Sequence, residues 1–598
     1  MQPSLSSFIR KLEELFGVDL RSLGLLRVAI ALVILLDLMQ RSRDLVAHYT
    51  DFGVLPRAAL IANDYTRWHL SIHLMNGTWE VQGVLFGIAA IFALLLLVGY
   101  QTRRATIVCW FFLLSVRNRN TVIWADALLS DVLFWGMFLP WGARFSVDKL
   151  LHPAWDKLPD RYLSWGTVAY VMQIAFVFWF GALWKSGPEW RVDGTAIYYA
   201  LSADQLATPF GLFLLQFPLV LKVLSFGVFW FEILAPLLLI SPVWTGPIRT
   251  ATIFGLIFMF FGFGLCLVIG IFGWIAIAAV VGLLPSWCWE KMNGWWQRTD
   301  GERITIYYDQ DCGFCRTAIR VIGEFLPSGT AITLPAQSHQ SIEADLRLHD
   351  SWVVADKRGD RHYGFRGALA IGKQSYLLWP LVLLLKCHRI VGIGESSYRL
   401  IAKQRKMHCS PEGAKALAPV SAYELGWMGS LLVAILLLYV FWWNVAGLPS
   451  AGVRMPERFY PIGQILGLEQ RWAMFAPSPL KNDGWYVIPG KLKNGKEVDL
   501  FRNGKEITWA KPMLVSATYK DVRWQKYMMN LWGRDFAKYR PFYAQYLCRD
   551  WNARHSAEMQ LEELRIYFLM EVTLPNYEYF TPEKVLMLTH RCTGPSKN

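Results

Sequence analysis

The chain has 598 residues, of which 54% are apolar and 29 are tryptophan, and its mean hydropathy is +0.28. These values, together with long apolar runs, exclude an ordinary soluble protein and indicate a polytopic membrane protein. The net charge of +14 is explained by basic loops held against anionic lipid, and no basic run or recognition motif supports nucleic-acid binding. Only one pair of the nine cysteines is close in sequence, which argues against a secreted disulfide framework.

The first half of the chain predicts a helical membrane region. Residues 1–22 alternate charged and apolar residues at helical spacing, which indicates an amphipathic helix at the membrane interface. Residues 23–290 predict a transmembrane bundle. Its eight apolar stretches are about 23–39, 81–100, 105–116, 122–141, 163–184, 211–240, 250–268 and 270–288. The stretch 211–240 is too long for one straight span, and Pro218 is expected to divide it into a half-helix and a full helix.

Several charged residues inside these spans need an explanation, among them Asp126 and Asp131, which are five residues apart and do not stack on one helix face. Arg27 and Asp37 lie near the two ends of the first span, where they can snorkel to the interface or pair within the bundle. Glu232 lies within 211–240, and a buried carboxylate there is costly unless it is paired or protonated.

Residues 302–410 form a polar insertion that carries the clearest chemical motif. Arg303–Tyr308 reads as a strand, the next residues as a turn, and Phe314–Phe325 as a helix, so Cys312 and Cys315 are placed at the first turn of that helix. A helix N-terminus favours the thiolate of the first cysteine, and cysteines at this spacing can form a small disulfide. A zinc half-site and two buried structural cysteines are the alternatives, although no second pair follows to complete a zinc site.

The rest of the chain predicts one more span and a second extramembrane domain. Tyr376–Leu385 is apolar but short, so it is assigned to the insertion, and residues 423–446 form the last transmembrane helix. Residues 447–598 predict a mixed α/β domain. It has hairpin turns at Asn494-Gly495 and Asn503-Gly504, helices within Arg523–Arg554 and a final strand at Leu564–Leu574.

The motif of the insertion resembles the DCC family of thiol–disulfide oxidoreductases, which are thioredoxin-like. The resemblance rests on Asp309-x-x-Cys312 and Cys315, on Phe365-Arg366-Gly367-Ala368, and on Tyr398-Arg399 running to Ala402 and Arg405. It implies redox chemistry without naming a substrate. Cys312 is expected to be the attacking thiolate, because it is nearer the helix start and the more exposed of the pair, and Cys315 the resolving thiol. Asp309 either tunes the pair and transfers a proton or caps the helix.

The membrane part resembles the HTTM superfamily, which includes the vitamin K-dependent γ-carboxylases. The residues that carry this resemblance are Asp51 to Arg57, Phe145-Ser-Val-Asp148, Lys185 to Tyr199, Arg471-Trp-Ala-Met-Phe-Ala-Pro477 and Asp483-Gly-Trp485. It implies that Lys185 matches a lysine linked to deprotonation, although Lys185 can equally be a lysine that snorkels at the end of a span. The carboxylase histidine has no counterpart, since no histidine occurs between His73 and His152. This argues against carboxylation and leaves a lipid or quinone pocket possible.

The predicted fold is therefore a polytopic α-helical membrane protein of about nine spans with an inserted thioredoxin-like α/β domain and a C-terminal α/β domain. The expected location is a bacterial inner membrane, with the cysteine-containing domain in the cytoplasm and the C-terminal domain outside. No metal is expected, and a quinone is the one candidate cofactor.

Three functions follow from these patterns. The leading one is a membrane-bound thiol–disulfide oxidoreductase that acts on a protein partner and feeds electrons to the bundle. The second is an enzyme that modifies a lipid, a quinone or a peptide, with Lys185 as base and Glu232 or Asp126 as its partner. The third is a non-enzymatic export or maturation partner for a secreted peptide.

Overall fold

The structure is a computed structural model of the full chain. It describes residues 2–123, 127–152, 155, 158–299, 304–324, 326, 331–356, 358–375, 379–385, 390–398, 425–575 and 581–592. Asp126 and the segment Arg399–Arg405, which the sequence singled out, lie outside the described residues.

Long apolar helices dominate the described chain, and two short strands, β1 Val18–Asp19 and β2 Arg161–Tyr162, form an antiparallel pair among them. The helices up to residue 300 are α1 Gln2–Phe16, α2 Leu20–Arg43, α3 Leu45–Tyr49, α4 Arg57–Asn63, α5 Trp79–Val98, α6 Thr102–Arg119, α7 Ala127–Gly136, α8 Val147–Leu151, α9 Trp165–Trp184, α10 Pro188–Arg191, α11 Ala196–Ser202, α12 Pro209–Leu214, α13 Pro218–Leu239, α14 Thr245–Cys266, α15 Phe272–Val281 and α16 Ser286–Thr299. Pro218 is the first residue of α13, which confirms the predicted division of 211–240. A proline fits there because the first helical N–H has no partner in any case.

Among the described helices, six are long and apolar enough to cross a membrane: α2, α5, α9, α13, α14 and the later helix Trp427–Gly447. A seventh is obtained if α15 and the first part of α16, which meet at 85°, count as one broken span. The predicted count of about nine is not confirmed. The helix α6 carries four arginines, and α7 has only ten described residues.

The helix α5 runs from residues 44–78 at one end of the bundle to residues 99–101 at the other end. We call the end with residues 99–101 and 240–244 the insertion end, and the end with residues 44–78 and 185–217 the tail end. At the insertion end the carboxylate of Asp148 accepts hydrogen bonds from the backbone N–H groups of Gln101 and Thr102, and so caps the start of α6.

Arg27 is fully buried near the insertion end. Its guanidinium donates to the carbonyl oxygens of Leu96, Leu97, Trp141 and Phe145 at 2.5–3.2 Å. It therefore satisfies carbonyls at the C-terminal end of α5, which lack partners within the helix. The sequence analysis expected Arg27 either to snorkel to the interface or to pair within the bundle, and the structure shows the second.

The inserted domain is a small α/β unit that contains a four-stranded sheet. Its strands are β3 Ile304–Tyr308, β4 Ala331–Pro335, β5 Val353–Ala355 and β6 Arg361–His362, and its helices are α17 Gly313–Glu324, α18 Gln340–His349, α19 Gly364–Lys373 and α20 Trp379–Leu385. The strand order is β4-β3-β5-β6, in which β3 and β4 are parallel and the other pairs antiparallel. Ile306 of β3, Ile319 of α17 and Ile371 of α19 meet in one apolar cluster.

After α21 Trp427–Gly447 the chain forms a second α/β domain against the tail end. Its elements are α22 Tyr460–Leu466, β7 Asn482–Val487, β8 Pro489–Leu492, β9 Glu497–Asp499, α23 Val522–Trp532, α24 Arg540–Arg554, β10 Leu561–Val572 and β11 Glu583–Arg591. Both predicted Asn-Gly turns are present, with positive φ at Gly495, Asn503 and Gly504. Lys520 and Arg523 pair with Asp44 and Asp37 of the bundle.

Two features of this domain depart from the sequence prediction. The strand β10 is not the last, because β11 follows it and pairs with it in antiparallel fashion. A disulfide joins Cys548 of α24 to Cys592, which lies just after β11. The sequence analysis did not predict this disulfide, since the two cysteines are 44 residues apart.

Candidate functional site

The cysteine pair lies where β3 passes into α17. The helix begins at Gly313, so Cys312 occupies the N-cap position and Cys315 the third helical residue. The carbonyl of Cys312 accepts the N–H of Arg316 at 3.1 Å, which is the first hydrogen bond of the helix. The predicted placement on a strand-to-helix junction is confirmed.

Both sulfurs are buried, contrary to the expectation that Cys312 is the more exposed. Cys312 is 1% exposed and Cys315 is 0% exposed. Cys312 is in a disulfide, whereas Cys315 retains its thiol, so the two are not joined to each other in this structure. Two conditions follow for Cys312 to act as a nucleophile: its disulfide must be reduced, and neighbouring residues must move to admit a partner.

Asp309 organises the turn that leads to the cysteines. Its Oδ1 accepts the backbone N–H of Asp311 at 3.0 Å and the side-chain amide of Gln337 at 2.8 Å. Gln337 follows β4, so Asp309 connects the ends of two parallel strands. It does not cap the helix, because Cys312 holds the N-cap position. A structural role in the turn explains both contacts, and a role in proton transfer stays a prediction.

The inserted domain lies against the bundle through the same helix that carries the cysteines. Cα atoms of α17 come within 8 Å of Cα atoms of α8, the short helix that contains Asp148. The domain is thus located at the insertion end, opposite to the C-terminal domain. The other described motif, Phe365 to Ala368, forms the first turns of α19, where the N–H of Arg366 donates to Glu395.

Lys185 and Glu232 form the second candidate site, within the bundle at the tail end. Lys185 follows the last residue of α9, and its Nζ lies 2.6 Å from Oε2 of Glu232 on α13. Lys185 is only 5% exposed, and its Nζ lies 5.2 Å from the ring centre of Trp190. It does not snorkel to solvent. Its ammonium is paired with the carboxylate of Glu232.

Residues 470–481 cover this pair from the tail end. The indole N–H of Trp190 donates to the carbonyl of Phe475 at 2.9 Å, and the N–H of Gly187 donates to the carbonyl of Pro477 at 3.0 Å. These contacts join the Lys185–Tyr199 and Arg471–Pro477 motifs, with the first segment donating to backbone carbonyls of the second.

A buried amide pair, which the sequence analysis missed, fixes the same segment. The side chains of Gln173 and Gln470 exchange two hydrogen bonds of 3.1 and 3.0 Å. Asn444 of α21 also donates to Gln470, and Gln173 donates to Asp131 at 3.4 Å. The sequence did contain a signal for this pair, because Gln173 is a polar residue in the middle of the apolar helix α9.

A second missed cluster connects the C-terminal domain to the bundle. Carboxylate oxygens of Asp204, Asp483 and Glu571 lie within 4.8 Å of one another. The Nζ of Lys511 lies 2.5 Å from both Asp204 and Glu571, so an ammonium already compensates these two charges. Burial, reinforced by the charge of Asp204, raises the pKa of Asp483 to about 8. The sequence places these four residues far apart, so only the fold reveals the cluster.

Comparisons with known proteins bear on the inserted domain. No curated protein and no solved structure matches the chain. Residues 306–410 match the family model of the DCC1-like thiol-disulfide oxidoreductases, so the chain contains a DCC1-like domain.

Proposed function

We propose that the protein is a membrane-bound thiol–disulfide oxidoreductase. The observation that carries the proposal is the position of Cys312 and Cys315 at the start of α17, inside the segment that matches the DCC1-like family. The long apolar helices on both sides of the domain support attachment to a membrane. The substrate in this proposal is a disulfide of a partner protein.

The proposed reaction transfers two electrons from the cysteine pair to the partner. The thiolate of reduced Cys312 attacks one sulfur of the partner's disulfide, forms a mixed disulfide and releases the other sulfur as a thiolate. Cys315 then loses its proton and attacks the sulfur of Cys312. The products are a Cys312–Cys315 disulfide and a reduced partner, and a cellular dithiol reductant regenerates the enzyme.

The proposed orientation puts the insertion end in the cytoplasm and the C-terminal domain outside a bacterial inner membrane. The Cys548–Cys592 disulfide supports this assignment, because stable disulfides are typical of oxidising compartments. In the cytoplasm disulfides are mostly transient and catalytic, and the proposed Cys312–Cys315 disulfide would be of this kind.

Trapping of the mixed disulfide tests the proposal. A full-length Cys315→Ser variant is reduced, freed of reductant and exposed to membrane extract, and adducts are identified by non-reducing electrophoresis and mass spectrometry. We expect a partner linked through Cys312, which is absent from the Cys312→Ser, Cys315→Ser double variant and unaffected by Cys288→Ser. The absence of any adduct above the double variant, together with the absence of a two-electron couple in the wild type, would contradict the proposal.

The ion pair in the bundle supports a second candidate function. In this function, which the resemblance of the membrane part to the HTTM superfamily implies, Lys185 is the base of an enzyme that modifies a lipid, a quinone or a peptide. Glu232 is the partner of Lys185. The 2.6 Å contact and the burial of both side chains support the predicted partnership. This function requires a state in which the proton leaves Lys185 for Glu232. A role as an export or maturation partner for a secreted peptide stays a third candidate, which co-purification of a peptide with a cysteine-free variant would favour.

A further inference from the structure

The helix α16 follows α15 through a sharp bend at the insertion end of the bundle. The helix α15 packs against α2 and α14, two of the helices long enough to cross a membrane. The bend is pressed into the bundle, since a Cβ on Gly282 would lie 2.3 Å from the hydroxyl of Tyr170 and 2.9 Å from Leu26. Beyond the bend, the segment Ser286–Trp295 runs at 85° to α15. Because α15 runs with the bundle, α16 lies across its end.

Two tryptophans fix the first turn of α16 between the starts of two spans. The indole N–H of Trp289 donates to the hydroxyl of Ser22 on α2 at 2.7 Å, and this hydroxyl donates to the carbonyl of Leu284. Trp287 packs against the start of α14, where a Cβ on Gly246 would lie 2.6 Å from the Cβ of Trp287. The direction of α16 is therefore set by contacts within the protein itself.

The outer side of α16 carries a stripe of tryptophan and lysine. Trp287, Lys291 and Trp295 follow one another at intervals of four residues, so they share one face of the helix. Trp295 is 61% exposed. Lys291 is exposed, and its Nζ lies 5.8 Å from the ring centre of Trp287. Both residue types suit the membrane–water interface, where the apolar part of the side chain is covered and its polar end reaches water.

The charges of α16 argue against the alternative in which α15 and α16 form one broken span. In that arrangement Glu290 and Lys291, which are both exposed, would face hydrocarbon. Neither residue has an ion-pair partner in the described part of the chain. Charges at membrane depth are costly unless they are paired. The interface, where both charges reach water, is the position that avoids this cost.

The neighbouring surface indicates lipid as the occupant of this face. The span α14 exposes Phe258 by 78%, and the turn before it exposes Trp244 by 77%. At the same end of the bundle, α1 exposes Phe8 and Ile9. The exposed apolar surface of the spans thus continues up to the end across which α16 lies. We propose that α16 lies in the plane of the bilayer, with Trp295 and Lys291 in the phospholipid head-group region.

This placement holds the inserted domain beside the membrane surface. The strand β3 begins at Ile304, five residues after Thr299 ends α16. A chain of that length spans at most about 18 Å, so the sheet of the inserted domain starts close to the lipid head groups. The proposal concerns the lipid contact of the chain and does not depend on the chemistry of the cysteine pair.

Depth-dependent quenching of fluorescence tests the proposal on the full-length protein in phosphatidylcholine nanodiscs. A fluorescent amino acid that absorbs at longer wavelength than tryptophan replaces Trp295. The lipids carry bromine either near the head group or near the methyl end of their acyl chains. We expect about twofold stronger quenching by the shallow bromine than by the deep one, because interfacial side chains lie only about 5–10 Å below the head-group boundary. The same fluorophore at Lys291 should show the same order, which provides a second position if the first variant does not fold.

Two other exposed positions are the matched controls. Phe258 lies thirteen residues into α14, about 20 Å from its start, so a fluorophore there should be quenched more by the deep bromine. A fluorophore at Lys496, in the C-terminal domain, should be quenched by aqueous iodide and by neither lipid. Stronger quenching of position 295 by the deep bromine would identify a broken span and overturn the proposal. Quenching of position 295 by neither lipid would place this face in water or against a protein partner, which would also overturn it.

Discussion

Lys185 and Glu232 form an ion pair, with 2.6 Å between Nζ and Oε2, at the tail end of the bundle where α9 packs against α13. Both side chains are almost completely buried, so each charge depends on the other. Removal of one partner of a buried pair leaves an uncompensated charge, whereas replacement of both by apolar residues is often tolerated.

The first prediction uses this asymmetry to separate structure from catalysis. Lys185→Met or Glu232→Leu alone should lower the free energy of unfolding by about 3–5 kcal/mol, and the double variant should recover most of the loss. The free energy of unfolding of each variant is measured on the purified protein in detergent. Lys491→Ala is the control, because its pair with Glu562 is exposed and should contribute less than about 1 kcal/mol. If the pair is purely structural, the double variant should keep its activity in cells. If Lys185 is a catalytic base, the double variant should lose that activity completely.

The second prediction concerns the disulfide between Cys548 and Cys592, which are 44 residues apart. Cys548→Ala with Cys592→Ala should lower stability by about 3–4 kcal/mol, since the cross-link restricts the unfolded chain. Chemical unfolding of the full-length protein measures the loss, and Cys288→Ser is the control.

The same cysteines report on orientation. After mild reduction of intact cells, a membrane-impermeant maleimide should label the wild type at Cys548 and Cys592 if the C-terminal domain is outside. Labelling that requires permeabilised membranes would contradict the proposed orientation.

Patterns local in sequence predicted the position of the cysteine pair and the break at Pro218. A β-rich run followed by turn residues and an apolar helical repeat determines where β3 ends and α17 begins. Glu232 was recognised as a carboxylate in need of a partner, and the structure provides Lys185. The burial of Cys312 depends on how the whole domain packs, so no local pattern could predict it.

The pairing of Cys548 with Cys592 was missed for a related reason. The two cysteines come together only because α24 and β11 pack against the same strand, β10. The strand β11 itself was not assigned. Apolar and polar residues alternate only weakly along Glu583–Arg591, and the strand forms an edge of the sheet with partly buried or exposed residues throughout.

The motif Asp483-Gly-Trp485 was noted only for its resemblance to a known family, and the fold explains its glycine. Gly484 has φ 152°, and a Cβ there would lie 1.9 Å from the carbonyl oxygen of Leu569.

The third prediction concerns Arg27. It donates to four carbonyl oxygens, so Arg27→Met should remove one hydrogen bond from each of these acceptors. Each unsatisfied buried group costs about 1–3 kcal/mol, and the variant should be among the most destabilising in the bundle. Arg27→Lys should recover only part of the loss, because an ammonium has three donors and a different geometry from the guanidinium. Arg103→Met at the same end is the control. A midpoint of unfolding unchanged by Arg27→Met would contradict the assigned role.

The last prediction is the pH dependence produced by Asp483. In the unfolded chain an aspartate loses its proton near pH 4, whereas in the fold the pKa of Asp483 is raised to about 8 by burial and by Asp204. Between these two values the folded state binds more protons than the unfolded state, so the free energy of unfolding falls as pH rises, by at most about 1.4 kcal/mol per pH unit from this group.

Asp483→Asn removes this dependence, and its amide oxygen can still accept the N–H of Asp204. The variant should match the wild type at pH 4 and exceed it in stability at pH 8, as measured by unfolding midpoints across that range. Asp535→Asn, at an exposed position of the same domain, should leave the profile unchanged. Parallel profiles for the wild type and Asp483→Asn would show that Asp483 is ionised in the fold throughout this range.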